Sequence, residues 1–373
     1  MILKKLRPGD SRLTRPLWER VFDEDTEEFL NYYYSVRTED NEIYVIEKDG
    51  DIHAMLHLNP YVLQVGQKEE GSRYIVAVAT DILYRGQGLM TELLQKAVRD
   101  MYARKLPFAF LMPASEQIYY PHHFRFIYAA EQWKAEGRPG EKLTAYGLLG
   151  RGAKGGQVTL SLARPKDCQR LARFAEEILR KKYNVYAKRT RHYYEVLLKE
   201  QASENGGILI AEKDGEIRGT VLFDEENGFA VREPVLAPGY RNVFDEAGLH
   251  LKKLKKRKPM IMARILHVES LLACMKCREE MELEFWLVDP VIRENNRLFT
   301  LKGNEERTVV RTRAAKPGET VQKISVDALT TLVFGYKSVE ETEKEEQETF
   351  SDEFKKELEK LIPLNKVFLN EIV

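Results

Sequence analysis

Apolar positions along the 373-residue chain follow two periods. Short β-rich runs predict strands, among them Tyr44-Val45-Ile46, Tyr74-Ile75-Val76-Ala77-Val78-Ala79, Phe108-Ala109-Phe110-Leu111 and Leu209-Ile210-Ala211. A period of three to four residues predicts helices. The clearest opens after Gly88, where Leu89, Leu93, Leu94, Ala97, Val98 and Met101 share one face. Helical segments are also expected over Thr26 to Tyr34 and Cys168 to Leu198.

The pattern contains a repeat. Tyr44-Val45-Ile46-Glu47-Lys48-Asp49-Gly50-Asp51-Ile52 resembles Leu209-Ile210-Ala211-Glu212-Lys213-Asp214-Gly215-Glu216-Ile217. Each copy is a strand running into Asp-Gly, a strong hairpin signal, and each follows helical segments. Two related α+β domains are therefore expected. From about Met275 the chain changes to alternating strands, such as Leu283-Glu284-Phe285-Trp286-Leu287-Val288 and Gln322-Lys323-Ile324-Ser325-Val326, which implies a third domain. Gly147, Gly150, Gly152, Gly155 and Gly156 mark a linker or hairpin turn. The expected domains are 1–150, 151–272 and 273–373. Glu340 to Glu348 reads as a solvated linker into an amphipathic helix carrying Phe354, Leu358 and Leu361.

Composition narrows the function classes. Hydrophobic residues make up 43% of the chain, enough for packed cores. Lys+Arg and Asp+Glu are both 59, so no global field draws the protein to nucleic acid or to an anionic membrane. The basic run from Lys252 to Lys258 lacks interleaved aromatics and reads as a solvated helix end. Cys168, Cys274 and Cys277 make no disulfide framework. Cys274 and Cys277 have a CxxC spacing without a second pair, and both are expected on a helix, with no metal bound. The first residues lack an apolar signal core, and no apolar run spans a bilayer. A soluble cytoplasmic protein is expected, with no nucleic-acid or membrane partner.

The chemistry concentrates in residues 74–104. A strand leads into Arg85-Gly86-Gln87-Gly88, and the helix begins at Leu89. Unpaired N–H groups and partial positive charge at a helix N-terminus attract phosphate, and glycines let it approach the backbone. Arg85 can add a charge-assisted contact. A dinucleotide fingerprint requires glycine where Thr91 stands, and a P-loop requires a Gly-Lys-Ser/Thr that is missing. Arg85-Gly86-Gln87-Gly88-Leu89-Met90 resembles the pyrophosphate turn of the GNAT acetyltransferase superfamily, departing from it at Met90.

The resemblance extends further. Together with Phe110-Leu111-Met112-Pro113-Ala114 and Ile118-Tyr119-Tyr120-Pro121, the turn resembles the Eis (enhanced intracellular survival) acetyltransferases. Over essentially the whole chain, this resemblance implies an α+β fold of two GNAT-like domains, the second degenerate, followed by a sterol carrier protein-like α+β domain. The second copy lacks the glycine turn: its later stretch reads Val235-Leu236-Ala237-Pro238-Gly239-Tyr240-Arg241. The resemblance implies an N-acetyltransferase using acetyl-CoA as co-substrate and a primary amine (an aminoglycoside, a polyamine or a lysine-like amine) as acceptor, assembled as a homo-oligomer, often a hexamer. It assigns Val78, Ala79 and Thr80 to the acetyl and pantetheine part. Arg85, Gly86, Gln87, Gly88, Leu89 and Met90 take the pyrophosphate.

For catalysis the resemblance implies that the C-terminal carboxylate, here Val373, is the general base. The family's general acid, a tyrosine, aligns with Phe124, which cannot donate a proton, and His122-His123 replace Phe-Gly before it. Tyr119 and Tyr120 are therefore carried as the catalytic hydroxyls, with Tyr128 and His123 nearby. Asp23, Glu24, Asp25 and Glu116 are candidates for attracting a cationic acceptor near Phe22. His53 and His57 are expected in structural roles. The competing expectation is a module that binds acetyl-CoA or a lipid without efficient turnover.

Overall fold

The computed structural model describes residues 1–136, 158–224, 230–245, 249–316 and 319–371. The glycine-rich linker and the expected boundary at 150/151 lie outside them, as does Val373. No helix among the described residues is long and apolar enough to cross a membrane.

Strands β1 (Ile2–Lys5), β2 (Glu42–Lys48), β3 (Asp51–Val65), β4 (Lys68–Thr80), β5 (Phe108–Leu111), β6 (Arg125–Glu136) and β12 (His250–Ile265) form one sheet in the order β1-β2-β3-β4-β5-β12-β6. Asp49 and Gly50 take φ of 54° and 92°, the left-handed pair that a two-residue hairpin requires between β2 and β3. Asp214 and Gly215 repeat this at 56° and 77° between β9 (Gly207–Lys213) and β10 (Glu216–Asp224). These two strands belong to a second sheet, ordered β11-β10-β9-β7, with β7 at Val158–Leu162 and β11 at Ala230–Leu236. The repeated sequence is thus a repeated hairpin. A third sheet comprises β14 (Met281–Val288), β15 (Leu298–Gly303), β16 (Thr308–Arg313) and β17 (Lys323–Ser325), where β14 and β17 are parallel.

Helices cover both faces of the first sheet. Helix α3 (Leu89–Ala103) packs Leu93, Leu94, Ala97, Val98 and Met101 against Leu56, Leu58, Ile75 and Leu111. Helices α1 (Arg15–Val21) and α2 (Glu27–Ser35) pack Leu17, Trp18, Leu30 and Tyr33 against Val45, Met55, Ala77 and Ala79 on the other face. Thr26 caps α2 by accepting from Phe29 N, as its position before the helical period suggests. In the second unit, α5 (Cys168–Lys182) and α6 (Arg191–Ser203) supply the expected helices.

Three sequence expectations are corrected. The basic run lies on β12, not at a helix end; its first half is exposed on both faces, so no alternation reveals the strand. Glu340 to Glu348 is mostly a helix, α9 (Val339–Glu346), started by a Ser338/Glu341 capping box that outweighs the charged composition. Cys277 lies on the two-residue strand β13 (Lys276–Cys277), and Cys274 follows the short helix α7 (Val268–Leu272); pairs this short have no readable period.

The units interlock. Strand β12, from the middle segment of sequence, enters the first sheet, and β8 (Val185–Ala187) pairs with β3 beyond the point where β2 ends. The tail strand β19 (Val367–Phe368) pairs with β8 in parallel. At the tip of the β3–β4 hairpin, Gly66 has φ 55° and donates to Asn184 O at 2.7 Å, while its Cα faces the Cys274 carbonyl. A Cβ at Gly66 collides with that backbone oxygen. Gly66→Ala is therefore expected to cost about 2–3 kcal/mol or more, and Gly50→Ala, in open space, about 1 kcal/mol. Equilibrium urea unfolding of both variants checks this ordering.

Candidate active site

Strands β4 and β5 are parallel and share only two paired positions, Arg73 with Ala109 and Tyr74 with Phe110. Strand β4 then continues to Thr80, and among the described residues no strand pairs with that edge. Opposite, the β3–β4 ladder skips: Met55 faces Ala79 and His57 faces Val76, so Ala77 and Val78 together oppose Leu56. This is a β-bulge, and Ala77 takes φ 50°, rare for a residue with a Cβ. The bulge turns the backbone of Val78, Ala79 and Thr80 relative to the rest of β4. Past Tyr74 the two strands share no further pair, which leaves an open slot along the β4 edge.

The slot runs to the glycine turn. Asp81 accepts from Leu83 N at 3.1 Å and starts a 3-10 turn over Ile82–Tyr84. Arg85 then folds its Nε back onto Thr80 O at 3.2 Å. Gly86 and Gly88 have φ of 76° and 82°, and a Cβ built on either meets nothing within 4 Å. Gly88 is the N-cap of α3 and brings no side-chain acceptor, so the first N–H groups of a 15-residue helix face the turn uncapped. Leu89 anchors the turn in the core, while Gln87 and Arg85 stay exposed. Open space above left-handed glycines at a bare helix N-terminus fits a pyrophosphate.

The tyrosine-bearing segment forms α4 (Glu116–Tyr119) and a 3-10 turn over Tyr120–His122. Tyr119 is buried against the α3 core, and burial pushes its hydroxyl up to about 12. Tyr120 points elsewhere: its hydroxyl donates to Glu345 at 3.0 Å, and the Arg125 guanidinium lies 4.5 Å from its ring centroid. Phe124 is fully buried, its ring centroid 6.0 Å from that of Tyr119. His123 Nδ1 is 2.8 Å from Asp327 of the third unit. Tyr128, on β6, donates to Asn370 Oδ1 at 2.9 Å. Among the acidic candidates, Asp25 accepts from Trp18 Nε1 at 2.7 Å, whereas Asp23, Glu24 and Glu116 are exposed. His57 is enclosed beside Tyr33 at 3.2 Å, and burial pulls its imidazole down to about 3, while His53 stacks on Tyr84 at 3.9 Å. Among the described residues no group of three or more His, Cys, Asp or Glu is placed to hold a metal ion.

Residues 3–127 match the sequence model of the acetyltransferase (GNAT) domain, and residues 268–370 match that of the sterol carrier protein domain. The chain carries a GNAT acyltransferase domain. The same architecture recurs at low sequence identity. A conserved protein of Enterococcus faecalis, described as a probable N-acyltransferase, superposes with TM-score 0.76 at 16% identity over 97% of both chains. A GCN5-related N-acetyltransferase of Anabaena variabilis gives 0.75 at 12% over 99% of both, and Eis1 of Mycobacterium abscessus 0.71 at 13% over 100% of both. No curated protein matches the chain by sequence.

On the α2 side of the GNAT sheet lies a cavity of about 310 Å³, between β3, α6 and the tail. Its floor is Tyr61, whose ring centroid is 5.9 Å from that of Phe110 and 6.4 Å from that of Tyr74, the last paired position of β4. The cavity therefore adjoins the apex of the slot. Glu200 and Glu371 line it, both nearly fully buried. Tyr32 donates to Glu200 at 3.0 Å. Tyr193 donates to Glu371 at 3.1 Å, and Arg189 lies 3.3 Å from Glu371 and 3.1 Å from Glu233. Burial pushes the carboxyls of Glu200 and Glu371 up to about 7 each, against the partial opposition of Arg37 and Arg189.

Sequence reasoning missed these cavity residues. A signal existed: Tyr193, Leu197 and Glu200 fall at helical spacing on one face of α6, and Glu371 is the lone acid in an apolar tail. The pH consequence has a definite sign. Folded Glu371 holds its proton up to about 7, whereas in the unfolded chain it releases it near 4.5. Its contribution to stability is complete below the unfolded value and is lost as pH rises through 7. Glu371→Gln is expected to flatten the fall of unfolding free energy between pH 5 and 8, measured by urea titrations across that range.

Proposed function

We propose that the protein is an Eis-type N-acetyltransferase that moves an acetyl group from acetyl-CoA to a primary amine. The single observation that carries this reading is the unpaired edge of β4, which leads from its divergence from β5 to the bare N-terminus of α3. In this reading the pyrophosphate lies on Arg85, Gly86, Gln87, Gly88, Leu89 and Met90, and the pantetheine arm adds to the open edge of β4. Backbone groups of Val78, Ala79 and Thr80, turned by the Ala77 bulge, take the acetyl end. A thioester carbonyl that gathers negative charge on attack is stabilised by such fixed dipoles without reorganisation. The amine nitrogen forms the new bond to the carbonyl carbon, and the carbon–sulfur bond breaks. The ammonium must first lose a proton, and the thiolate must gain one.

The amine enters from the cavity over Tyr61, where the carboxyls of Glu200 and Glu371 are placed to accept its N–H groups. The terminal carboxylate of Val373 is the base that the resemblance supplies, and Tyr119 is the candidate hydroxyl on α4. Tyr120 is less suited, because its hydroxyl is already given to Glu345. The side chain at the family's acid position, Phe124, favours one second reading, a module that binds acetyl-CoA without efficient turnover.

Incubation with acetyl-CoA and a panel of primary amines, followed by thiol titration, tests the proposal. The expected outcome is amine-dependent release of CoA. Tight acetyl-CoA binding without release under any amine supports the binding module, and absence of acetyl-CoA binding removes both readings. Gly88→Val is expected to weaken CoA binding at least about tenfold in calorimetry, because a β-branched residue disfavours φ 82° and crowds the helix N-terminus.

A further inference from the structure

The cavity over Tyr61 holds a cation as well as carboxylates. Arg37, in the 3-10 turn Arg37–Glu39 that follows α2, is only 7% exposed. Its guanidinium lies 4.8 Å from the centroid of the Tyr61 ring, and neither Nε nor Nη2 has a hydrogen-bond partner. Glu200 acts on Arg37 through its charge, yet its carboxylate accepts the Tyr32 hydroxyl instead of an Arg37 N–H. The other cations of the lining are matched: Arg73 by Glu42, Lys188 by Glu69 and Glu176, Arg232 by Asp224. Glu371 presents the complementary case. Its Oε1 is used by Tyr193 and Arg189, but its buried Oε2 has no partner.

A buried guanidinium and a buried carboxylate, each with unused hydrogen-bonding atoms, thus line one cavity. Burial of such atoms is unfavourable unless a partner arrives. A plain amine answers only Glu371; it adds positive charge to a lining that already holds Arg37 and leaves that guanidinium unanswered. A diamine brings two such charges. A ligand with one carboxylate and one ammonium answers both groups and leaves the charge of the cavity unchanged. The planar guanidinium suits a carboxylate in particular, because its paired N–H groups match the two oxygens.

We propose that the acceptor is a small amino-carboxylate, held with its carboxylate against Arg37 and its amine against Glu371. This rests on the acetyl-transfer reading only for the fate of the amine; recognition of the zwitterion is a binding property of the cavity. Calorimetry on the full chain, with and without CoA, tests it using ω-aminocarboxylates of three to six carbons against the alkylamines of the same length. The aminocarboxylates are expected to bind at least about tenfold more tightly than the matching alkylamines at the best chain length. Arg37→Gln removes that preference by weakening the aminocarboxylate alone, and Arg37→Lys retains part of it. Equal or tighter binding of the alkylamines or of 1,5-diaminopentane overturns the proposal, as does no binding of any member of the series. The wild-type comparison decides even if the variants fail to fold. A preference for aminocarboxylates without acetyl transfer to any of them upholds the site and removes the transfer reading instead.

Discussion

Everything at the candidate site follows from how the four residues of β5 divide their backbone hydrogen bonds. One edge is fully occupied by β12, through Ile265, Arg264, Ala263 and Met262. The other edge meets β4 at only two positions before the strands diverge. Backbone N–H and C=O groups are obligatory bonding groups, so an unpaired inner edge in the middle of a sheet is a costly arrangement. Here the cost is confined to the segment where an extended ligand can add to the sheet. The Ala77 bulge lies on the opposite edge of β4, in the same stretch of the strand.

The strand that holds β5 in place comes from the middle of the chain, and it is itself fixed by the third unit. Arg264 on β12 is fully buried, and its Nη2 donates to Asp289 at 2.7 Å. Asp289 also accepts from Val291 N, Ile292 N and Asn295, and the guanidinium beside it holds its carboxyl below the usual range. A buried pair of this kind adds little net stability against an apolar alternative, but it is exacting about register. Further contacts bind α4 and the start of β6 to the same unit: Tyr120 to Glu345, Arg125 to Glu346, His123 to Asp327. The sterol carrier-like portion therefore braces the segment facing the slot, whatever else it does. Its last residues complete the cavity on the other face of the sheet.

The sequence was informative where function depends on local backbone chemistry. Asp49-Gly50 and Asp214-Gly215 announce hairpins because few other dipeptides adopt two successive left-handed residues. Gly86 and Gly88 before an amphipathic helix announce a left-handed turn at a bare helix N-terminus for the same reason, and Thr26 announces the start of α2. The loss of the glycine turn from the second repeat was equally readable. The lysine run on β12 misled, because a strand exposed on both faces has no apolar alternation to read. Ala77 gave no warning either, since nothing local in an alanine demands φ 50°; the bulge is imposed by the ladder with β3.

Sequence alone determined the three α+β units, the repeated hairpin and the glycine turn before α3, all of which rest on contacts within a few tens of residues. Only the tertiary structure decided which strand lies beside β5, where the slot opens, and which charged side chains meet over Tyr61. Those facts depend on pairings between segments far apart in the sequence, such as Val367 with Val185 and Met262 with Leu111. Burial then gives Arg37, Glu200 and Glu371 their character. The desolvation that makes an ordinary arginine or glutamate chemically significant is a property of the enclosing fold and leaves no mark on the residue itself.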